Sequence, residues 1–381
     1  MFKILLCGDT ICRSADNSDP FTFVHDVFDR HDVVVLNLET TIIENPKKYK
    51  SPNKAVIFFS DPANLGFLSR HKEKIIFSLS NNHVLDFGED GFIETCSNIT
   101  KWGGQILGIN ELKKKTFKDY NFEFISFYND LLRTHNNSSF LLEDQSTINQ
   151  TIRSMGDDPF VIISAHWGHE HMLIPSPEQQ CLAKKWLSSG VNIVMGHHSH
   201  SAQGIYSENN GITTYSLGNF NMCDLNVYYN LNVDNISYML SLELDRINGA
   251  TKIMSLNPIP FRIDELWRPI PLKGRSEELF KQYLSQLTSL MSNSKIDSWQ
   301  NWALYYIHIS KSYLLNNFVL GWVPRFKRYG ISQLWPFLKW TLHKVTIFSL
   351  FGLLFNYFNP TRRIMPALDS LLKSLPKENQ L

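Results

Sequence analysis

The stretch Val191-Asn192-Ile193-Val194-Met195-Gly196-His197-His198-Ser199-His200 decides how this 381-residue chain is read. A short apolar run ends on a glycine, and three imidazoles follow at once. Apolar runs of this length without polar alternation fit strands buried on both faces, as in α/β sheets. Glycine allows a sharp turn at the strand end. His198 and His200, one residue apart in that turn, can both face one cleft, and neutral imidazole is a common ligand of transition ions.

Four other apolar runs end in the same manner. Ile4–Cys7 leads into Gly8-Asp9, and Val33–Leu36 into Asn37-Leu38-Glu39. Ile75–Phe77 leads towards Asn81-Asn82-His83 with Asp86, and Phe160–Ile163 towards His166-Trp167-Gly168-His169-Glu170-His171. Open α/β sheets place their ligands at strand carboxyl ends. Carboxylate oxygens mixed with imidazoles suit zinc, manganese or iron rather than calcium. One such turn alone is a weak signal, because histidines and asparagines often serve as simple turn formers. Five of them, each on a predicted core strand, point to one metal-compatible cleft.

Helix signals fall between the strands. Ser60-Asp61-Pro62 offers an N-cap and a first-turn proline. Glu89 to Trp102 reads as a helix stopped by Gly103-Gly104. Ser176-Pro177-Glu178-Gln179 has the form of a capping box, with its helix running to Ser189 and stopping at Gly190. Alternating strands and helices predict a layered α/β core. Tyr238, Leu240, Leu242 and Leu244 alternate with polar residues, the pattern of a half-buried antiparallel strand.

Composition narrows the functional classes. Lys plus Arg is 37 and Asp plus Glu is 36, so no whole-molecule basic field for nucleic acid exists. The five cysteines are scattered with no CxxC pair, which argues against a disulfide framework or structural zinc and for a reducing compartment. The first apolar run, Ile4–Cys7, is too short for a signal sequence. It reads as the first buried strand of a cytoplasmic domain.

Taken together, Gly8-Asp9, Asn37-Leu38-Glu39, Asn82-His83 with Asp86, His166-Trp167-Gly168 with Glu170, Gly196 with His198 and His200, Gln203, and Tyr215-Ser216-Leu217-Gly218-Asn219-Phe220 resemble the CapA family. This is the capsule-synthesis, poly-γ-glutamate-associated branch of the calcineurin-like metallophosphoesterases. The match covers roughly residues 1 to 260 in order. The resemblance implies a four-layer α/β/β/α sandwich and one or two divalent ions (manganese, zinc or iron). It implies Asp9, Glu39, Asn82, His166, His198 and His200 as metal ligands, with Glu39 bridging. His83 would serve as acid or charge stabiliser, with Asp86 and Glu170 beside the histidines. The implied activity is hydrolysis of a phosphoester or polymer linkage in cell-surface polymer synthesis. The alternative is a non-catalytic factor that grips an anionic polymer. One departure bears on both: the wider superfamily has Asp-any-His in its first motif, and here Asp9-Thr10-Ile11 lacks the histidine.

The composition changes near residue 265, which divides the chain into a domain over 1–265 and a helical extension over 266–381. Residues 301–381 hold ten basic against two acidic residues, and sixteen aromatics. The longest uncharged stretch, residues 345–360, is about sixteen residues, short of the roughly 20 a bilayer span needs. Trp335 to Phe358 with its basic flanks fits a helix docked on an anionic membrane surface, making the protein peripheral there and bringing it to membrane-bound synthesis proteins.

Overall fold

The computed structural model describes residues 1–49, 56–108, 113–128, 145–153, 159–170, 172–222, 235–291, 323, 326–327 and 330–341. The strands in chain order are β1 (Phe2–Thr10), β2 (Val33–Leu38), β3 (Thr41–Ile42), β4 (Phe59–Ser60), β5 (Ile75–Ser78), β6 (Gln105–Leu107), β7 (Lys113–Phe117), β8 (Tyr120–Tyr128), β9 (Phe160–His166), β10 (Ile193–His197), β11 (Ile205–Glu208), β12 (Gly211–Thr214), β13 (Asn219–Asn221), β14 (Ile236–Ile247), β15 (Ala250–Ile263) and β16 (Pro269–Pro271). The helices are α1 (His25–Asp29), α2 (Gly88–Trp102), α3 (Gln145–Arg153), α4 (Pro177–Ser188), α5 (Arg275–Met291) and α6 (Leu334–Thr341).

Two mixed sheets form the body. One runs β16-β15-β14-β1-β2-β5-β6, with β13 also paired to β1; the other runs β11-β12-β10-β9-β8-β7. The two-residue alternation of strands sorts the apolar residues into layers. Ile4, Leu6, Val33 and Val35 of the first sheet meet Phe160, Ile162, Ile193 and Met195 of the second in one core between the sheets. The alternate residues Leu5, Cys7, Val34 and Leu36 face outward and pack under Leu65, Leu68, Phe92 and Ile99. On the far side, Val161, Ile163 and Val194 pack under Ile148, Ala183 and Trp186. The result is helix, sheet, sheet, helix: the expected four-layer sandwich. Each fully buried aliphatic side chain in these layers contributes about 1.5–3 kcal/mol.

Local chemistry explains the connections. Ser176 and Gln179 cap α4 reciprocally with Pro177 at its first position, and Gly190 follows at φ 99°. Asp61 caps the segment after β4, but the helix there, Pro62–Lys74, is of the tighter 3₁₀ kind. The strand expected at 191–195 begins and ends two residues later, because Gly196 and His197 still pair with Ala165 and His166 of β9. Gly196 is required at this crossing: a Cβ there would lie 2.0 Å from the Tyr215 carbonyl oxygen. Gly8 is required in the same way, 1.9 Å from the Gly218 oxygen.

Beyond the composition change at 265, β16 pairs with β15. Leu279, Phe280, Tyr283 and Leu287 of α5 join the core between the sheets. Residues 269–291 therefore pack with the α/β body. Most of the expected membrane-docking segment, residues 342–358, lies outside the described residues. Among the described residues no helix is long and apolar enough to cross a membrane.

Candidate metal centre

The carboxyl ends of β1, β2, β9 and β10 meet, and their terminal side chains fall into one buried cluster. Asp9 sits in β1, beside Asn37 of β2 in the parallel ladder. Glu39 follows β2 directly, its amide bonded to the Thr10 carbonyl. Asp9 and Glu39 are both wholly buried. Two sets of donor atoms lie within 4.8 Å of one another: Asp9, Glu39 and His200; and Glu39, His166 and His198. Glu39 belongs to both.

The distances show how the two sets interlock. His166 Nε2 is 3.6 Å from Glu39 Oε1 and 2.8 Å from Asn82 Oδ1. His200 Nε2 is 3.9 Å from the same Glu39 oxygen, and its Nδ1 is 3.4 Å from Asp9 Oδ2. The rings of His166 and His198 are 4.7 Å apart. His198 and His200 adopt φ of 87° and 57°, left-handed conformations that turn both rings back towards the cleft. Such conformations cost non-glycine residues roughly 1–3 kcal/mol and persist where surrounding structure enforces them.

Electrostatics favour a cation here. Asp9 pairs with His197 and His200, and Glu39 with His166 and His200. Burial works against ionised Asp9, but the adjacent His197 and His200 imidazoles and the Asn37 amide together hold its carboxyl below the usual range. Burial, together with the neighbouring His198, His197, His200 and His83, drives His166 well below the usual imidazole value. His166 is therefore neutral, the form that binds metal. Two buried carboxyl groups beside imidazoles form a donor set that suits zinc, manganese or iron. Donors 2.8 Å apart, as His166 Nε2 and Asn82 Oδ1 are, fit adjacent positions around an ion with bonds of about 2.0–2.2 Å.

Around these donors stand the groups that orient them. Asn37 Nδ2 donates to Asp9 Oδ1 at 2.8 Å and lies 3.3 Å from His166 Nδ1. Asn219 Oδ1 accepts from His200 Nδ1 at 2.8 Å. His83 Nδ1 is 2.6 Å from Asp86 Oδ2, which also accepts the Phe58 amide at 2.7 Å. The Phe58 ring lies 4.4 Å from the His83 ring. Glu170 is half-buried in the turn after Gly168 and enters neither donor set.

Sequence reasoning passed over His197. Its buried ring brings Nδ1 to 3.4 Å from Asp9 Oδ1. Strand parity held the signal: Ile193 and Met195 face the core between the sheets, and His197 continues their row. The absent histidine of the first motif has a structural counterpart too. Ile11 packs with Phe58 and Met222 in a small apolar cluster instead of facing the donors.

The family model described as bacterial capsule synthesis protein PGA_cap matches residues 3–223. The chain is 25% identical over 213 residues to the PGA biosynthesis protein CapA of Bacillus subtilis (strain 168), covering 52% of this chain and 56% of that protein. It is 26% identical over 218 residues to the capsule biosynthesis protein CapA of Bacillus anthracis, covering 52% and 53% respectively. The chain thus spans about half the length of the curated relatives it matches. The crystal structure of the calcineurin-like phosphoesterase YfkN from Bacillus subtilis aligns over 77% of this chain and 99% of that one, at 16% identity and a TM-score of 0.41. With its family model matched across the whole cluster of strand-end donors, the chain belongs to the bacterial capsule synthesis protein PGA_cap family.

Proposed function

We propose that the chain is a metal-dependent hydrolase acting on a phosphoester or polymer linkage in the synthesis of a capsule or similar anionic cell-surface polymer. One observation carries this reading: two donor sets, five residues in all with only His198 less than buried, share Glu39. Asp9, Glu39 and His200 would hold one divalent ion, and Glu39, His166 and His198, with Asn82, a second. When bound, such a pair supplies Lewis acidity, stabilising charge on attacking and leaving oxygens and lowering the pKa of water.

The remaining work falls to the chain. Asn37 and His197 fix the Asp9 carboxylate. Asn219 sets the tautomer of His200 by accepting from Nδ1. Asp86 accepts from His83 Nδ1 and so favours the imidazolium form, whose Nε2–H would protonate the leaving oxygen and leave the neutral Nδ1–H ring behind. A positioned acid of this kind contributes about 10²–10⁴-fold. The test is metal content of the purified full chain, with hydrolysis of bis-p-nitrophenyl phosphate in added manganese or zinc. Bound metal and turnover that His83→Ala reduces are expected; neither metal nor turnover would remove the enzymatic reading.

A second reading keeps the cleft but not the turnover. Ile11 faces an apolar cluster where the wider superfamily places a histidine, so the Asp9 side has fewer donors and could grip polymer without cutting it. Polymer binding that survives His83→Ala, with no cleavage by the parent, would favour it.

The segment from Trp335 to Phe358, with its basic flanks, we assign to docking on an anionic lipid surface. Ile331, Leu334, Trp335 and Leu338 are exposed at helical spacing, and basic residues dominate the surrounding sequence. The full chain should sediment with vesicles containing phosphatidylglycerol, and a chain cut after about 330 should not. Absence of the full chain from the pellet would end this assignment.

A further inference from the structure

Arg13 lies just past the end of β1, four residues after Asp9, and is held in an unusual way. Its guanidinium carbon is 5.6 Å from the centroid of the Phe59 ring and 5.5 Å from that of Trp267. Among the described residues no carboxylate pairs with it, and its buried Nε has no hydrogen-bond partner. Arg268 nearby gives the contrast: it also lies over an aromatic ring, that of Phe23, yet its Nε and Nη2 both reach Asp264 at 2.8 Å. Arg268 is neutralised; Arg13 has no such partner among the described residues.

The platform under Arg13 is built. The Asn221 side chain accepts the Arg13 amide at 3.2 Å and donates to the Arg13 carbonyl at 3.0 Å and the Trp267 carbonyl at 2.6 Å. Trp267 sits at φ 68°, in a turn whose Asp264 carboxylate also accepts the Leu266 and Arg268 amides. Phe59 is braced edge-on by Phe87 at 6.0 Å. Fixing a long cation between two rings removes much of the rotamer entropy it would otherwise lose on binding. A guanidinium presented in this way is suited to planar, bidentate contact with a carboxylate or phosphate.

Its position ties it to the metal centre. Asn219 pairs with Asp9 and, across a register shift, Asn221 pairs with Thr10, so the clamp on Arg13 belongs to the strand pair that orients His200. Trp267 packs against the cluster of Ile11, Phe58 and Met222, and Phe58 lies on His83.

We propose that Arg13, framed by Phe59 and Trp267, is an anion subsite that holds a carboxylate or phosphate group of an anionic polymer beside the metal centre. The proposal rests on the polymer-handling reading of the cleft, and its test does not require turnover. The full chain is titrated against fluorescein-labelled deca-glutamate, with labelled deca-glutamine as the neutral control, in EDTA and again with manganese. Arg13→Gln should weaken deca-glutamate binding about tenfold or more and make its salt dependence shallower. Arg13→Lys should fall between the two. Arg13→Met, which keeps the stacked volume, should match Arg13→Gln, and serves alone if Arg13→Gln does not fold. Displacement of the label by glutamate oligomers or by inorganic polyphosphate tells which oxyanion the site prefers. Arg13 dependence in EDTA without any hydrolysis by the parent would sink only the hydrolase reading. Parent-like affinity and salt dependence in both charge-removing variants would overturn the subsite.

Discussion

Two networks of histidine and carboxylate occupy this molecule, and they are built on opposite plans. At the strand ends, Asp9 and Glu39 are wholly buried and their described ion-pair partners are imidazoles. On the outer face of the first sheet, Asp19, His25, His71 and Asp29 form a second set. There His25 Nε2 is 2.7 Å from Asp19, His25 Nδ1 is 2.9 Å from His71 Nε2, and His71 Nδ1 is 3.5 Å from Asp29. The Asp19 and Asp29 side chains keep 29% and 48% exposure, and Arg70 pairs with Asp29. The outer network has Arg70 and partial exposure; in the inner one the two wholly buried carboxyl groups pair with histidines. Isolated buried charge is costly, so the inner network is the one that a bound cation would stabilise.

The largest effect should come from the shared ligand. Glu39→Gln should strip metal from both donor sets and cut hydrolysis by more than about 100-fold, since losing even orienting groups around a metal costs roughly 10–100-fold. EDTA should destabilise the parent by about 2.7 kcal/mol when the metal had been present at 100 times its dissociation constant, and leave the Glu39→Gln melting curve in place. An EDTA effect of equal size in both proteins would place the metal elsewhere.

Asn219→Ala tests the orienting shell. It removes the acceptor for His200 Nδ1 and should lower metal affinity by about 10–100-fold. Unchanged affinity would show that Asp9 alone sets the ring.

The outer network should answer to pH instead. Burial and the adjacent His25 imidazole bring His71 down to about 4, against about 6.5 in the unfolded chain. The unfolded state thus binds the proton more tightly between these values. Stability is full above about pH 6.5 and falls by about 1.4 kcal/mol per unit as pH drops towards 4. Urea melts of metal-free protein across this range should show that slope, and His71→Gln should flatten it. Smallest of all, Arg70→Ala should cost under about 1 kcal/mol, because exposed ion pairs are worth little. A larger loss would mean that Asp29 needs its arginine as much as Glu39 needs a cation.

The sequence made the inner network legible through its strand ends, and left the outer one unseen. Asp9, Glu39, His166, His198 and His200 each follow an uninterrupted apolar run, and a layered sheet necessarily brings such ends together. His25 and His71 sit on α1 and a 3₁₀ helix, where no periodicity ties one to the other. Within the inner network, His197 was lost because the strand extends through Gly196, a pairing set by β9 rather than by local composition. Arg13 and Trp267 are separated by more than 250 residues. The Asn221 clamp and the bond from the Ala15 amide to the Leu266 carbonyl bring these segments together.

The most direct measurement is anomalous diffraction at the manganese or zinc edge from crystals of the full chain grown with that ion. Density against Glu39 shared with Asp9 and His200 on one side, or with His166 and His198 on the other, is the expected result. A well-ordered cleft without anomalous density, or a peak at His25 and His71 instead, would contradict the assignment of Glu39 as the centre of a metal site.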